Sequence, residues 1–447
     1  MPATWNRGYA KFSRESAVGT PSTTQLLGMK NGPLSGLITT AFGTGGTSVG
    51  IGVPTADRKI KGEFAKAIMT AGVGRRFKNT AMVAGRRSMA GSVKVPICPN
   101  TFPFLLYLAL GNDVVTPTQS GTLTGAGNTA NAVALTVTAT SANLKTGQIA
   151  FINDTTFSEY VVIGADIASG QTAITSITGG GGTLGGLKNS HAASTAIQYG
   201  PWTHVQSLTN TVSTIPTFEY EDNVGGATNS QLYTGCSIDG IDLSAAFDND
   251  TELMEATVKL IGRADQTTVG FAGTGAFSMP SEEVGIATGN AAVWTDPPNA
   301  TMPSGSFPHI YVAGFKMNLN NNAHLAKAAT GSPDPYTSLP TLNELSGSMD
   351  TFFEDYSTYK DFATNVVWSP VDLKWTWAAS LLVGTTGAVP ATFEVKINRV
   401  GLEKAGDFTD KDGLVRFPID SWKSLDYPDF GTPAQAIFTT LNNVATY

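Results

Sequence analysis

The chain is predicted to be mainly β, built from two tandem copies of a strand–helix–hairpin unit with a small β module inserted in the first copy. Three observations lead there. The 447 residues are 41% hydrophobic and only 14% charged, with 49 Gly and 23 Pro among many Thr, Ser and Val, a composition of short strands cut by turns. A hairpin pattern recurs at a spacing of 159 residues, and a strand pattern ahead of it recurs at 256. The length is two to three times that of a typical domain, so more than one domain is expected.

The strand comes first in each copy. "MAGSVKVPI" (89–97) and "LSGSMDTFF" (345–353) both alternate around a Gly-Ser pair, with Met89, Val93 and Val95 matching Leu345, Met349 and Thr351. A helix is predicted after each. "TFPFLLYLALG" has Thr101 to cap it, Pro103 in its first turn and Gly111 to end it, and "DYSTYKDFATN" has Asp355 as its cap. The hairpin follows. Ile238, Ile241 and Leu243 lead through "DNDTE" to Ala256, Val258 and Leu260; Ile397, Val400 and Leu402 lead through "DFTDKDG" to Val415, Phe417 and Ile419. Every corresponding pair is 159 residues apart, so one hairpin frame with no net insertion is expected.

The two spacings differ by 97 residues, 256 less 159, which is a small domain's worth of extra chain between helix and hairpin of the first copy. Short alternating segments "ALTVTAT", "QIAFIN", "EYVVIG" and "TAITSI", followed by the glycine-rich "TGGGGTLGGLKNSHAAS", fill it. The predicted layout is therefore an N-terminal arm or loop region (1–57), a discontinuous first unit (58–114 and 200–264), the inserted β module (115–199), a Gly-, Pro-, Ser- and Thr-rich linker or arm (265–306) and the second unit (307–447).

Chemistry is sparse. The longest apolar run, "FPFLLYLALG", is about half of what a membrane helix needs, so no membrane insertion is expected. The N-terminus has none of the features of a secretion signal, and the chain is expected to stay in the compartment where it is made. Cys98 and Cys236 cannot form a disulfide framework or close a zinc site and read as small core residues. His191, His204, His309 and His324 stand far apart, read as loop or strand-surface residues, and show no metal-ligand spacing. "GTGGTS" (43–48) has no Lys after its last glycine and is not a phosphate loop. "TDKDGLV" lacks the closing Glu of a calcium loop, and a hairpin turn explains Asp412 and Gly413. Glu219 and Glu221 share a strand face, the arrangement of a glycosidase pair, but read better as solvent-facing strand residues. No catalytic, cofactor or metal site is predicted, and the chain is not expected to be an enzyme.

Charge is uneven within the net −7: ten basic residues and one acid, Glu63, lie between Arg58 and Lys94. Such a run serves phosphate contact, a solvated face or a contact between neighbouring chains. The series Phe352, Phe353, Tyr356, Tyr359 and Phe362 has helical spacing and buries a face, either in its own core or against a neighbouring subunit.

Four segments in order, "ESAVGT" (15–20), "GSVKVPICPNTFPFLLYLALG" (91–111), "YTGCSIDGIDLSAAFDNDTELMEATVKLIGR" (233–263) and "GSMDTFFEDYSTYKDFAT" (347–364), resemble the tail tube (major tail) proteins of long-tailed, non-contractile bacteriophages. The resemblance covers roughly 14–111 and 200–443, and 133–198 is similar to a small β module of phage virion proteins. It implies two β-sandwich or barrel tube domains, each with a flanking helix, and a module on the tube exterior. It implies self-assembly into stacked rings around a hollow through which double-stranded DNA passes without specific readout. Two domains per chain would make the ring a homotrimer with pseudo-sixfold order. The implied partners are the chain itself and tape-measure, tail-terminator and distal tail proteins; the place is the virion tail, after synthesis in the host cytoplasm. Stacking would use 28–57 or 265–306. An acidic or neutral lumen leaves Arg75, Arg76, Arg86 and Arg87 as a candidate inter-ring basic patch. The alternative class is a β-rich host-binding or decoration protein, which shares the composition but has no need of paired units.

Overall fold

The computed structural model describes residues 9–17, 20–21, 38–39, 50–53, 57–70, 79–97, 101–125, 128–141, 143–146, 148–178, 186–209, 215–223, 230–246, 255–263, 293–296, 301–302, 305–306, 312–326, 335, 337–339, 341–352, 371–382, 390–411, 413–425 and 434–442. Within them the chain is mainly β, every strand pairing is antiparallel, and the helix is a single one.

The first unit contributes β1 (Tyr9–Ala17), β2 (Asp57–Thr70), β3 (Asn79–Pro96) and α1 (Phe102–Leu110). β4 (Val114–Thr122), β5 (Ile149–Asn153), β6 (Glu159–Ile163) and β7 (Ala196–Thr209) follow, then β8 (Phe218–Asn223), β9 (Ser230–Ala246) and β10 (Glu255–Gly262). The second unit holds β11 (Val312–Asn320), β12 (Glu344–Phe352), β13 (Val371–Leu382), β14 (Pro390–Ala405), β15 (Thr409–Lys411), β16 (Leu414–Ser424) and β17 (Ala434–Asn442).

Eight of these form one continuous ladder, in the order β2–β3–β10–β9–β11–β12–β16–β14. It is the same four-strand order written twice. One row of paired residues runs Ile60–Gly91–Leu260–Ile238 across the first unit, and its counterpart runs Met317–Gly347–Trp422–Leu402 across the second. The Gly-Ser pairs that repeat in sequence sit at equal places: Ser92 opposes Lys59, and Ser348 opposes Lys316. A Cβ on Gly91 would overlap the Lys59 carbonyl oxygen, and one on Gly347 the Lys316 carbonyl oxygen, so both positions need the absent side chain.

Strand order repeats, but the hairpin register does not. In the first copy Ile241 opposes Val258 and Leu243 opposes Ala256. In the second, Leu402 opposes Trp422 and Ala405 opposes Ile419, several residues out of the predicted frame. The reason is the turn. β15 prolongs the second hairpin as far as the Lys411–Leu414 pair, beside which Gly413 has φ 78° and its N–H donates to Asp410 Oδ1 at 3.0 Å. Val415, predicted to alternate inward, opposes Asp410 in this extension and is 47% exposed.

Behind the ladder lies a second layer, because β9 and β14 are long enough to serve both. Residues 230–236 of β9 pair with β8, which pairs with β1; residues 392–397 of β14 pair with β13 on one side and β17 on the other. β17 then pairs with β7, and β7 with β4. One apolar core fills the space between layers and takes residues from both units, including Val93, Val258, Leu243, Met317, Met349, Ile419 and Phe438.

Helix α1 lies in that core rather than on its surface: eight of its nine residues are buried, and Phe102 meets Phe393 of the second unit edge-on at 5.5 Å. It ends as predicted at Gly111, whose φ is 77° and whose N–H donates to the Tyr107 carbonyl. Its start differs, for the Thr101 hydroxyl is buried and makes no cap hydrogen bond. Asn321 ties the end of the helix down, donating from Nδ2 to the Ala109 and Ile238 carbonyls at 2.8 and 3.0 Å. The second predicted helix lies outside the described residues.

A separate apolar cluster, including Leu123, Leu135, Val137, Ile152, Val161, Ile174 and Ile197, is drawn wholly from 123–199. β4 and β7 run from the second layer into this region with one register shift, between Tyr199 and Trp202, so its attachment is a strand pair. The part predicted as a linker or arm contributes backbone to the sheet: Val293–Asp296 pair with β13.

Candidate assembly surfaces

The predicted site residues divide. Phe352 is the last residue of β12 and its backbone opposes Arg416, while Phe353, Tyr356, Tyr359 and Phe362 lie outside the described residues. Arg75 and Arg76 also lie outside them. Arg86 is exposed and Arg87 half-buried on β3, in a two-stranded ribbon formed by 63–70 and 79–88 beyond the reach of β10. By composition the described ribbon is basic, with Lys66, Arg86 and Arg87 to one acid, Glu63.

The ladder face turned away from the core carries interleaved charges, because alternate residues of each strand point to opposite faces. Lys94 pairs with Glu255; Lys259 meets Asp242 at 2.8 Å; Arg416 meets Asp350 at 2.6 Å; Lys423 reaches Glu344 and Glu403 at 3.7 Å each. These pairs are mostly exposed, so each adds little stability. What they set is the character of the face, which is polar with no long track of one sign.

At the two ends of the ladder the strands differ. Among the described residues it ends at β2 on one side and at 401–405 of β14 on the other. Near the second end, Phe408, Leu414 and Val415 are 40%, 53% and 47% exposed, with Phe408 leaning on Phe417 at 5.5 Å.

Two expectations about polar residues are corrected. His191 and His204 are buried, at 6% and 0% exposure, not on the surface. His191 Nδ1 lies 3.0 Å from Asp154 Oδ2 and its Nε2 2.5 Å from Glu159 Oε1, and Glu159 also accepts the Lys188 and Asn189 N–H groups. His204 Nδ1 meets Asp113 Oδ2 at 2.9 Å, and Gln206 donates to the other Asp113 oxygen, which fastens the segment after α1 to β7. His324 is exposed as expected, and His309 lies outside the described residues. Glu219 and Glu221 are also buried, at 2% and 0%, on the central strand β8 between β1 and β9.

Asp154 titrates below the usual carboxylate range, held there first by its hydrogen bond with His191 and then by the Thr156 N–H. Asp166 is pulled to about 2 by Lys145, at 2.6 Å, and by the N–H and hydroxyl of Thr146. Burial alone pushes Tyr199 upward. All three groups sit in the inserted region; Asp154 and Asp166 hold loops together, while the Tyr199 hydroxyl is buried without a hydrogen-bond partner. Among the described residues no group of three His, Cys, Asp or Glu side chains is placed to hold a metal ion, and no helix is long and apolar enough to cross a membrane.

The features that sequence reasoning missed are the sheet edges. Their signal was present in the alternating strands, but which edge is left over depends on strand order. A sequence model of the family described as phage tail tube protein matches residues 14–420 of the chain. No curated protein matches it.

Proposed function

The chain belongs to the phage tail tube protein family, and from that membership we propose that three copies close a ring, that rings stack, and that the stack is the conduit for phage DNA in a long, non-contractile tail. It is a structural protein of the virion tail and not an enzyme.

One observation carries the threefold reading: the ladder holds two copies of one four-strand order, joined edge to edge by β9 and β11. A ring needs each unit to meet the next in the same way, and this chain already contains one such meeting. With strands about 4.8 Å apart and tilted about 40°, 24 ladder strands from three chains would close a wall roughly 48 Å across at the backbone. That leaves room for a duplex after the inner side chains are counted.

The polar ladder face would line this lumen. Its interleaved charges leave phosphates no continuous basic track to grip, which suits passage over retention. The basic β2–β3 ribbon, with Arg86 and Arg87, then joins 28–57 and 265–306 as a means of contact between rings. The inserted module, on the layer behind the ladder, would stand outside. Tape-measure, terminator and distal tail proteins would meet the tube at its axis and ends, and synthesis would take place in the host cytoplasm.

Negative-stain electron microscopy of the concentrated, purified chain tests the reading, with mass measurement of isolated rings. Hollow rings of three chains are expected. Six chains per ring would refute the threefold arrangement, and a chain that binds cells but never assembles would favour the host-binding alternative.

A further inference from the structure

We propose that residues 403–409, running from β14 into β15, take the β2 strand of a second copy of this chain, antiparallel, with Phe408 of one copy against Ile60 of the next. This rests on the ring reading above and names where its joint lies.

The internal joint is the template. In the first unit, the outer edge of β9 pairs with β11 from Gly240–Asn320 to Ala246–Gly314, placing Met317 opposite Leu243. Under that cover Leu243 and Ala256 are 1% and 0% exposed. In the second unit, the corresponding corner holds Phe408, 40% exposed, against Phe417. Leu414 and Val415 beside it are about half exposed. The same corner is therefore apolar in both units and covered in one.

The matching rows give the register. β2 stands to β3 as β11 stands to β12, since Ile60 opposes Gly91 as Met317 opposes Gly347. Leu402 stands where Ile238 does. Stepping from Leu402 through the register shifts at 402–405 to the residue that leans on Phe417 brings Phe408 to the place of Leu243, and hence opposite Ile60. Ile60 is itself only partly buried, packed against the edge of the core. Charge agrees in balance: β2 carries the exposed Lys59 and Lys61, and the receiving edge carries the exposed Glu403, Asp407 and Asp410 against one exposed lysine, Lys404.

Directly opposed strand residues lie within disulfide reach. The full chain carrying both Ile60→Cys and Phe408→Cys is to be assembled, oxidised and run on a denaturing, non-reducing gel beside each single variant. A covalent trimer from the double variant, and none from the singles, is expected. Tubes visible by microscopy with no cross-link, or a cross-link only in a control pair of Ile60→Cys with Gly401→Cys, would overturn the joint and leave the tube reading standing. A parent chain that never assembles would refute the tube reading itself. Phe408→Asp supplies a second readout, because the site is exposed: loss of ring formation with an unchanged monomer melting curve is expected, and ring formation at the parent level would overturn the proposal.

Discussion

Gly91 and Gly347 occupy one position twice, each pressed against a lysine carbonyl of the neighbouring strand. Gly91→Ala and Gly347→Ala should each cost about 1–3 kcal/mol, as forced strand displacement does, read as a lower denaturation midpoint; an unchanged midpoint in both would show that the strands part freely. The sequence displayed these glycines openly, as the centre of a repeated Gly-Ser pair. His191 and His204 were not legible in the same way, because their carboxylate partners stand 32 and 91 residues away. Glu219 and Glu221 read as surface residues because a short alternating strand pattern does not say that both of its faces are buried. The clamped carboxylates have a pH consequence. Asp166 is depressed in the folded chain from an ordinary value of 3.8 to about 2, so its contribution is present above the ordinary value and lost as pH falls from there toward 2. Hydrogen exchange in 123–199 should quicken across that window, and less so in Asp166→Asn.

Helix α1 shows how far an element can be read before its neighbours are known. Its ends were legible in Pro103 and Gly111, and its burial in an apolar run of almost one character, yet its first-turn cap was misread. A threonine before a helix caps only when its hydroxyl can turn to an N–H, and here packing holds it elsewhere. Thr101→Ala should therefore shift the unfolding midpoint little, whereas Leu106→Ala, in the middle of the core, should cost about 2–5 kcal/mol. Equal effects would show that the cap matters after all. The hairpins teach a related lesson. A fixed spacing of 159 identifies the same two strands in each copy, but register is settled by where the chain reverses, and the extension to the Lys411–Leu414 pair moves it.

At the scale of the whole molecule, the tandem order and the inserted region were legible as differences of spacing, while the shared core was not, since it forms only when Phe102 of one unit meets Phe393 of the other. The insertion can be tested by removal. The Leu123 and Thr195 backbones are joined by a 2.8 Å hydrogen bond, so a short turn can replace 124–194. Tubes of unchanged lumen and smaller outer width are expected by microscopy; failure to assemble would place the region in the wall. The β9–β11 joint has a final consequence, for the accuracy of counting. Separate units could close a circle with one too many or one too few, a small error in curvature that thermal motion readily supplies. Units fused in pairs through this joint cannot make that mistake: the nearest wrong ring differs by two, and the bend demanded of every joint changes by enough to be rejected.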